Sequence, residues 1–187
     1  MMKIDVSTGI IQGANFHFSP NFDERPRDQE IDLLVVHNIS LPPGEFGGKY
    51  VHALFSNQLH PDEHEYFKEI AHLKVSSHLF IRRNGELWQF VPLTKRAWHA
   101  GTSAFEGKEN CNHFSIGIEL EGTDDIPYTP QQYEQLAQVT RLLMQYYPIT
   151  IDRIVGHSDI APERKTDPGP SFDWQHYKEL VNELLMA

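Results

Sequence analysis

Residues 153–170, RIVGHSDIAPERKTDPGP, bring an imidazole (His157), an ammonium (Lys165) and a carboxylate (Asp167) into one short stretch. Three prolines, Pro162, Pro168 and Pro170, restrict the backbone that carries them. Imidazole and carboxylate are two of the ligand types a zinc ion takes, and a catalytic zinc needs three protein ligands and one open position. The third ligand must come from elsewhere in the chain. His37 offers itself, because it shares the context of His157: each ends an apolar strand and precedes a proline-containing loop. If the two strands are parallel neighbours, both rings leave the sheet at one edge, and Asp167 closes a tripod. No HExxH pattern is present, so a metal here depends on the fold to gather its ligands.

Such an ion lowers the pKa of a bound water and polarises a carbonyl oxygen. Amide hydrolysis then requires a base for the water's proton and a donor for the developing oxyanion. Lys165, two residues from a candidate ligand, suits the second role. The stretch SIGIELEG (115–122) supplies two candidates for the first. Ile116, Ile118 and Leu120 alternate toward the core, so Glu119 and Glu121 share the opposite face with Ser115 and Gly117. Spacing leaves the choice between the two glutamates open. Other histidines compete as ligands, among them His72 and His78, but with 11 in the chain most must do something else. His99, beside Trp98, is better suited to a binding wall with a flat apolar face and a polar tip.

The elements that must position these groups are readable. IDLLVVHN (31–38) is short, leucine-rich and β-branched, a strand buried on both faces. Val51, Leu54 and Phe55 predict a helix over 49–58. Residues 76–91 read as two strands joined at Asn84-Gly85, a hairpin signal. Thr129 as N-cap, Pro130 at the first helical position and Gln132 completing a capping box open a long helix that Pro148 ends. A last helix runs from about Asp173 to Met186. Strands alternate with helices around one hairpin, which predicts an α/β fold: a single mixed β-sheet flanked by helices on both faces. One domain over 1–187 is expected, with residues 1–30 a loosely packed arm.

Composition agrees with a soluble globular chain: 187 residues, 40% hydrophobic and 22% charged. A net charge of −10 disfavours nucleic acid and anionic membranes as partners. The opening residues lack a signal-peptide pattern. The single cysteine, Cys111, rules out an internal disulfide and suits a reducing compartment, so a cytoplasmic location is expected; the chain is taken as a monomer.

LLVVHNISLPPGEFGG, IAHLKVSSH, KRAWHAG, CNHFSIGIELEGTD and GHSDIAPERKTDPGP resemble the type 2 N-acetylmuramoyl-L-alanine amidase family, which shares its fold with phage lysozyme-type amidases and peptidoglycan recognition proteins. The resemblance runs from about Ile31 to Trp174. It implies one zinc per chain, held by His37, His157 and Asp167, with Glu119 as base and Lys165 as oxyanion donor. The implied reaction is hydrolysis of the lactyl amide between N-acetylmuramic acid and L-alanine, on 1,6-anhydro muropeptides recovered in wall recycling. Asn38, Tyr66, Trp98 and His99 match positions expected to line the sugar-peptide pocket. Two basic positions that grip stem-peptide carboxylates in close relatives stand here as Lys74 and Asn110. Two rival readings use the same resemblance: a muropeptide-binding module without catalysis, and an amidase of intact wall.

Overall fold

The computed structural model describes residues 2–186. Its centre is a six-stranded sheet of β1 (Asn15–Phe16), β2 (Leu33–Ile39), β3 (Leu79–Ile81), β4 (Leu87–Gln89), β5 (Ser115–Glu121) and β6 (Ile154–Gly156). The spatial order is β6-β2-β5-β3-β4-β1. The first four of that order run parallel, β4 returns antiparallel to β3, and β1 lies parallel to β4 at the edge. The helices are α1 (Tyr50–Phe55), α2 (Phe67–Ile70), α3 (Pro130–Tyr146), α4 (His157–Ile160) and α5 (Trp174–Met186). The expected mixed sheet covered by helices on both faces is the fold observed.

Leu33, Leu34, Val35 and Val36 of β2 are fully buried, as a strand covered on both sides requires. Alternate residues go to different environments. Leu34, Val36, Ile116, Ile118 and Leu120 join Leu136 and Leu143 of α3 and Tyr177 and Val181 of α5 in one apolar cluster. The predicted capping box starts α3, and the Thr140 and Tyr177 hydroxyls, 2.6 Å apart, fasten it to α5. The other face carries two separate clusters. One packs Leu54, Phe55 and Phe67 from α1 and α2 against Phe80 and Phe90; the other gathers Leu33, Val35, Cys111, Phe114 and Ile160. A strip of polar side chains lies between them.

The hairpin turns where Asn84-Gly85 predicts it, with Gly85 at φ 84° and Arg82 N–H donating to the Glu86 carbonyl at 3.0 Å. The opening segment corrects the reading of a loose arm. Ile4 and Ile11 belong to the main core, and the Gln89 side chain bonds Ile11 N–H and the Gly9 carbonyl. Arg25 donates to the carbonyls of Leu93, Asn112, His113 and Ser115. These ties join side chains to distant backbone, which apolar periodicity does not report.

Candidate metal centre

β6 pairs with β2 in parallel, with Gly156 opposite Val36. The next residue on each strand is therefore a histidine at the same carboxyl edge, where loops gather ligands. Asp167 returns to them on the loop after α4, where its carbonyl accepts from Ser158 N–H at 3.0 Å. The Nδ1 atoms of His37 and His157 stand 2.9 Å apart, and each is 3.3 Å from Asp167 Oδ2. A tetrahedral zinc with bonds of about 2.0–2.1 Å spaces its ligand atoms about 3.3 Å apart, so this triangle fits such an ion. Among the described residues these three form the group of His, Cys, Asp and Glu side chains able to hold a metal.

The protonation states fit as well. Burial pulls His37 down to about 4, more than the adjacent Asp167 carboxylate raises it, leaving a neutral ring able to ligate. Burial would raise Asp167, but the His157 and His37 rings packed against it outweigh burial and hold the carboxyl far below its usual range. The second ring nitrogens are both engaged: His37 Nε2 lies 2.8 Å from His99 Nδ1, and His157 Nε2 lies 3.0 Å from the Ala100 carbonyl. The neutral His37 ring, the His157 ring and an ionised Asp167 carboxylate thus face one point.

That point opens into a cleft of about 630 Å³, lined among others by Asn38, Tyr66, Trp98, Glu119 and Lys165. Glu119 sits opposite His37 in the β5–β2 register. One of its oxygens is buried with no partner among the described residues. Burial, with a further push from Asp167 and an offset from Lys165, drives its carboxyl well above the ordinary range. A carboxylate of raised proton affinity beside a metal-competent cluster is placed for acid-base chemistry. Glu121, two residues on, is committed elsewhere. Its oxygens accept from Gly47 N–H at 2.6 Å and Arg83 N–H at 3.0 Å, and Arg82 pairs with it at 3.5 Å. The two glutamates that spacing could not separate are separated by their partners.

The remaining candidates divide. Lys74 borders a side cavity of about 220 Å³ with Trp98, Arg164 and Lys165. Asn110 stands at φ 58° in a turn, outside the lining of both cavities. Asn38 faces the cleft, but its amide donates to Asp124 Oδ1 at 2.8 Å and more weakly to the Pro168 carbonyl, so it also fastens the Asp167 loop. His99 is in the cleft wall, with its polar tip already engaged. Its ring lines the cleft, yet Nδ1 meets His37 and Nε2 meets Ser115 Oγ at 3.0 Å, so neither nitrogen is left for a ligand. Arg164, whose guanidinium donates to the Ala100 and Thr102 carbonyls, and Asp124 were missed. Asp124 follows the carboxyl end of β5, the same positional signal that singled out His37.

A mixed sheet with a metal-competent cluster and a buried carboxylate at the carboxyl edge of its parallel strands has the equipment of a hydrolase. Residues 27–170 match the N-acetylmuramoyl-L-alanine amidase model (Amidase_2), and the chain belongs to that family of amide hydrolases. It is 61% identical over 163 residues, 87% of either chain, to the 1,6-anhydro-N-acetylmuramyl-L-alanine amidase AmpD of Salmonella typhimurium (strain SL1344). The crystal structure of a selenomethionine AmpD derivative matches with a TM-score of 0.93 at 57% identity, covering 96% of this chain and 99% of that one. The Escherichia coli amidase AmiD, in complex with anhydro-N-acetylmuramic acid-L-Ala-D-γ-Glu-L-Lys, matches with a TM-score of 0.59 at 29% identity, covering 84% of this chain and 60% of that one.

Proposed function

We propose that this chain is a zinc-dependent amidase that hydrolyses the bond between the lactyl group of 1,6-anhydro-N-acetylmuramic acid and L-alanine in muropeptides released during wall recycling. The observation that carries the reading is the His37, His157 and Asp167 triangle with Glu119 in register beside it. His37, His157 and Asp167 would hold the zinc, which when bound would supply Lewis acidity toward the lactyl carbonyl and lower the pKa of water.

Glu119 takes the proton of the attacking water and returns it to the departing amine, so the C–N bond breaks with the peptide leaving as a neutral amine. The carbonyl carbon keeps the water's oxygen in a new carboxylic acid on the lactyl group, which becomes a carboxylate as its remaining proton passes to the released amine. Lys165 presents its ammonium to the carbonyl oxygen as charge develops there. Tyr66, Trp98 and Asn38 line the route by which sugar and peptide reach the centre, and Lys74 and Arg164 offer positive charge to stem-peptide carboxylates. We assign the work to one domain spanning the whole chain, acting as a cytoplasmic monomer on soluble substrate. Among the described residues no helix is long and apolar enough to cross a membrane, and Cys111 is a free, buried thiol.

Mass spectrometry of an anhydro muropeptide incubated with zinc-loaded and chelator-stripped protein tests this. The expected products are anhydro-N-acetylmuramic acid and a peptide with free L-alanine at its amino end, formed only with metal. An unchanged muropeptide would leave a binding module, and faster release from intact sacculi than from soluble muropeptide would reassign the substrate.

A further inference from the structure

Both imidazoles of the metal centre are oriented from a single place. His157 Nε2 lies 3.0 Å from the Ala100 carbonyl, which can only accept, so the proton of His157 is on Nε2 and its Nδ1 lone pair faces Asp167. His37 Nε2 meets the side chain of the preceding residue, His99, whose far nitrogen meets Ser115 Oγ. One proton order satisfies this chain with every ring neutral: His37 Nε2–H donates to His99 Nδ1, and His99 Nε2–H donates to Ser115 Oγ. His37 Nδ1 is then also left with its lone pair toward Asp167.

The segment that does this belongs to no long strand or helix, yet its backbone is fastened at three successive residues. Trp98 N–H donates to Ser76 Oγ at 3.0 Å, and Asn112 Oδ1 accepts from both His99 N–H at 3.1 Å and Ala100 N–H at 2.8 Å. Asn112 is itself buried. The ring of His99 lies flat against β5 where Gly117 has no side chain; a Cβ there would stand 2.5 Å from His99 Cγ. A glycine, a buried amide and a buried hydroxyl thus converge on one histidine that has no place for substrate on its nitrogens.

We propose that Trp98–Ala100, clamped by Asn112 and seated on Gly117, is the positioning element of the metal centre, with His99 and the Ala100 carbonyl setting the tautomers of His37 and His157. The proposal rests on the zinc reading above. It makes His99, Asn112 and Ser115 positioning residues: none ligates, and all act through the two imidazoles. Partners of this kind orient ligands and change metal affinity roughly 10- to 100-fold when removed.

The test is made on full-length protein with two readouts. Chelator competition gives the zinc affinity, and long-range proton–nitrogen correlation on metal-free, nitrogen-15-labelled protein gives the histidine tautomers. Wild type is expected to show both His37 and His157 protonated on Nε2. His99→Ala is expected to lower zinc affinity roughly 10- to 100-fold and to move His37 alone out of that tautomer. His99→Gln, which keeps an acceptor, is expected to restore most of the affinity, and Asn112→Ala is expected to disturb both rings. Should His99→Ala fail to fold, Ser115→Ala carries the same test through the tautomer of His99. Wild type that takes no zinc overturns the metal reading on which this rests. Wild type that takes zinc, with His99→Ala or Ser115→Ala unchanged in affinity and tautomers, overturns the positioning role alone.

Discussion

The two faces of the central sheet use the same strands to opposite ends. On one face, Leu34, Val36, Ile116, Ile118 and Leu120 run unbroken into α3 and α5. On the other, two smaller apolar clusters stand apart, and the residues in between, His37, Ser115, Gly117 and Glu119, face a polar seam. Burial is as complete in the seam, where Ser115 is wholly covered and His37 is 1% exposed. The difference lies in how burial is made tolerable. Apolar residues need only shape and volume, whereas each polar group of the seam needs a specific partner. Glu119, with one oxygen lacking such a partner among the described residues, is the exception, and it lines the cleft. The comparison teaches that stability and chemistry are separable here by the parity of residues along a strand.

Substitutions on the two faces should therefore move different observables. The largest effect is expected at Asp167→Ala, which removes one of the three proposed ligands: metal content and turnover should vanish together, and metal analysis beside an assay checks this. Glu119→Ala should keep zinc and lose turnover by roughly 10²- to 10⁴-fold. Wild-type turnover by the zinc-loaded variant would remove Glu119 from the mechanism. Leu136→Ala, on the apolar face and fully buried, should cost about 2–5 kcal/mol in denaturant unfolding while kcat of the folded protein stays put. A lowered kcat would break the separation of the faces.

A fourth, smaller effect concerns acid. His78 is buried in the seam, its Nδ1 accepting from Gly117 N–H and its Nε2 2.8 Å from the Lys95 carbonyl. Burial, with Arg25 nearby, pushes its pKa down from 6.5 to about 3. The unfolded chain takes up the proton first, so stability from this group is intact above about pH 6.5 and is lost as pH falls toward 3. The folding equilibrium should weaken by up to about tenfold per pH unit in that window, and His78→Gln should flatten the slope. Denaturation midpoints across the window decide it, and identical slopes in both proteins would locate the acid sensitivity elsewhere.

Much of this was legible in the chain. Apolar runs ending in His37 and His157, the Asn84-Gly85 turn and the Thr129 capping box are local signals with local causes, and they account for the meeting of the two histidines and for the start of α3. What stayed hidden depends on contacts between distant segments. Glu119 and Glu121 have the same parity, and only Gly47, Arg82 and Arg83 distinguish them. The opening segment looked loose because its ties run from Arg25, Gln89 and Asn21 to backbone groups far away in sequence. His99 lies on the cleft wall as expected, but nothing in Trp98-His99 reveals that Ser115 and His37 flank its ring.

The most direct test of the metal centre is anomalous diffraction at the zinc edge from crystals of the zinc-loaded protein. One peak should lie about 2.0–2.2 Å from His37 Nδ1, His157 Nδ1 and an Asp167 carboxylate oxygen. A peak ligated by other residues, or no peak at this cluster in crystals that cleave substrate, would contradict it.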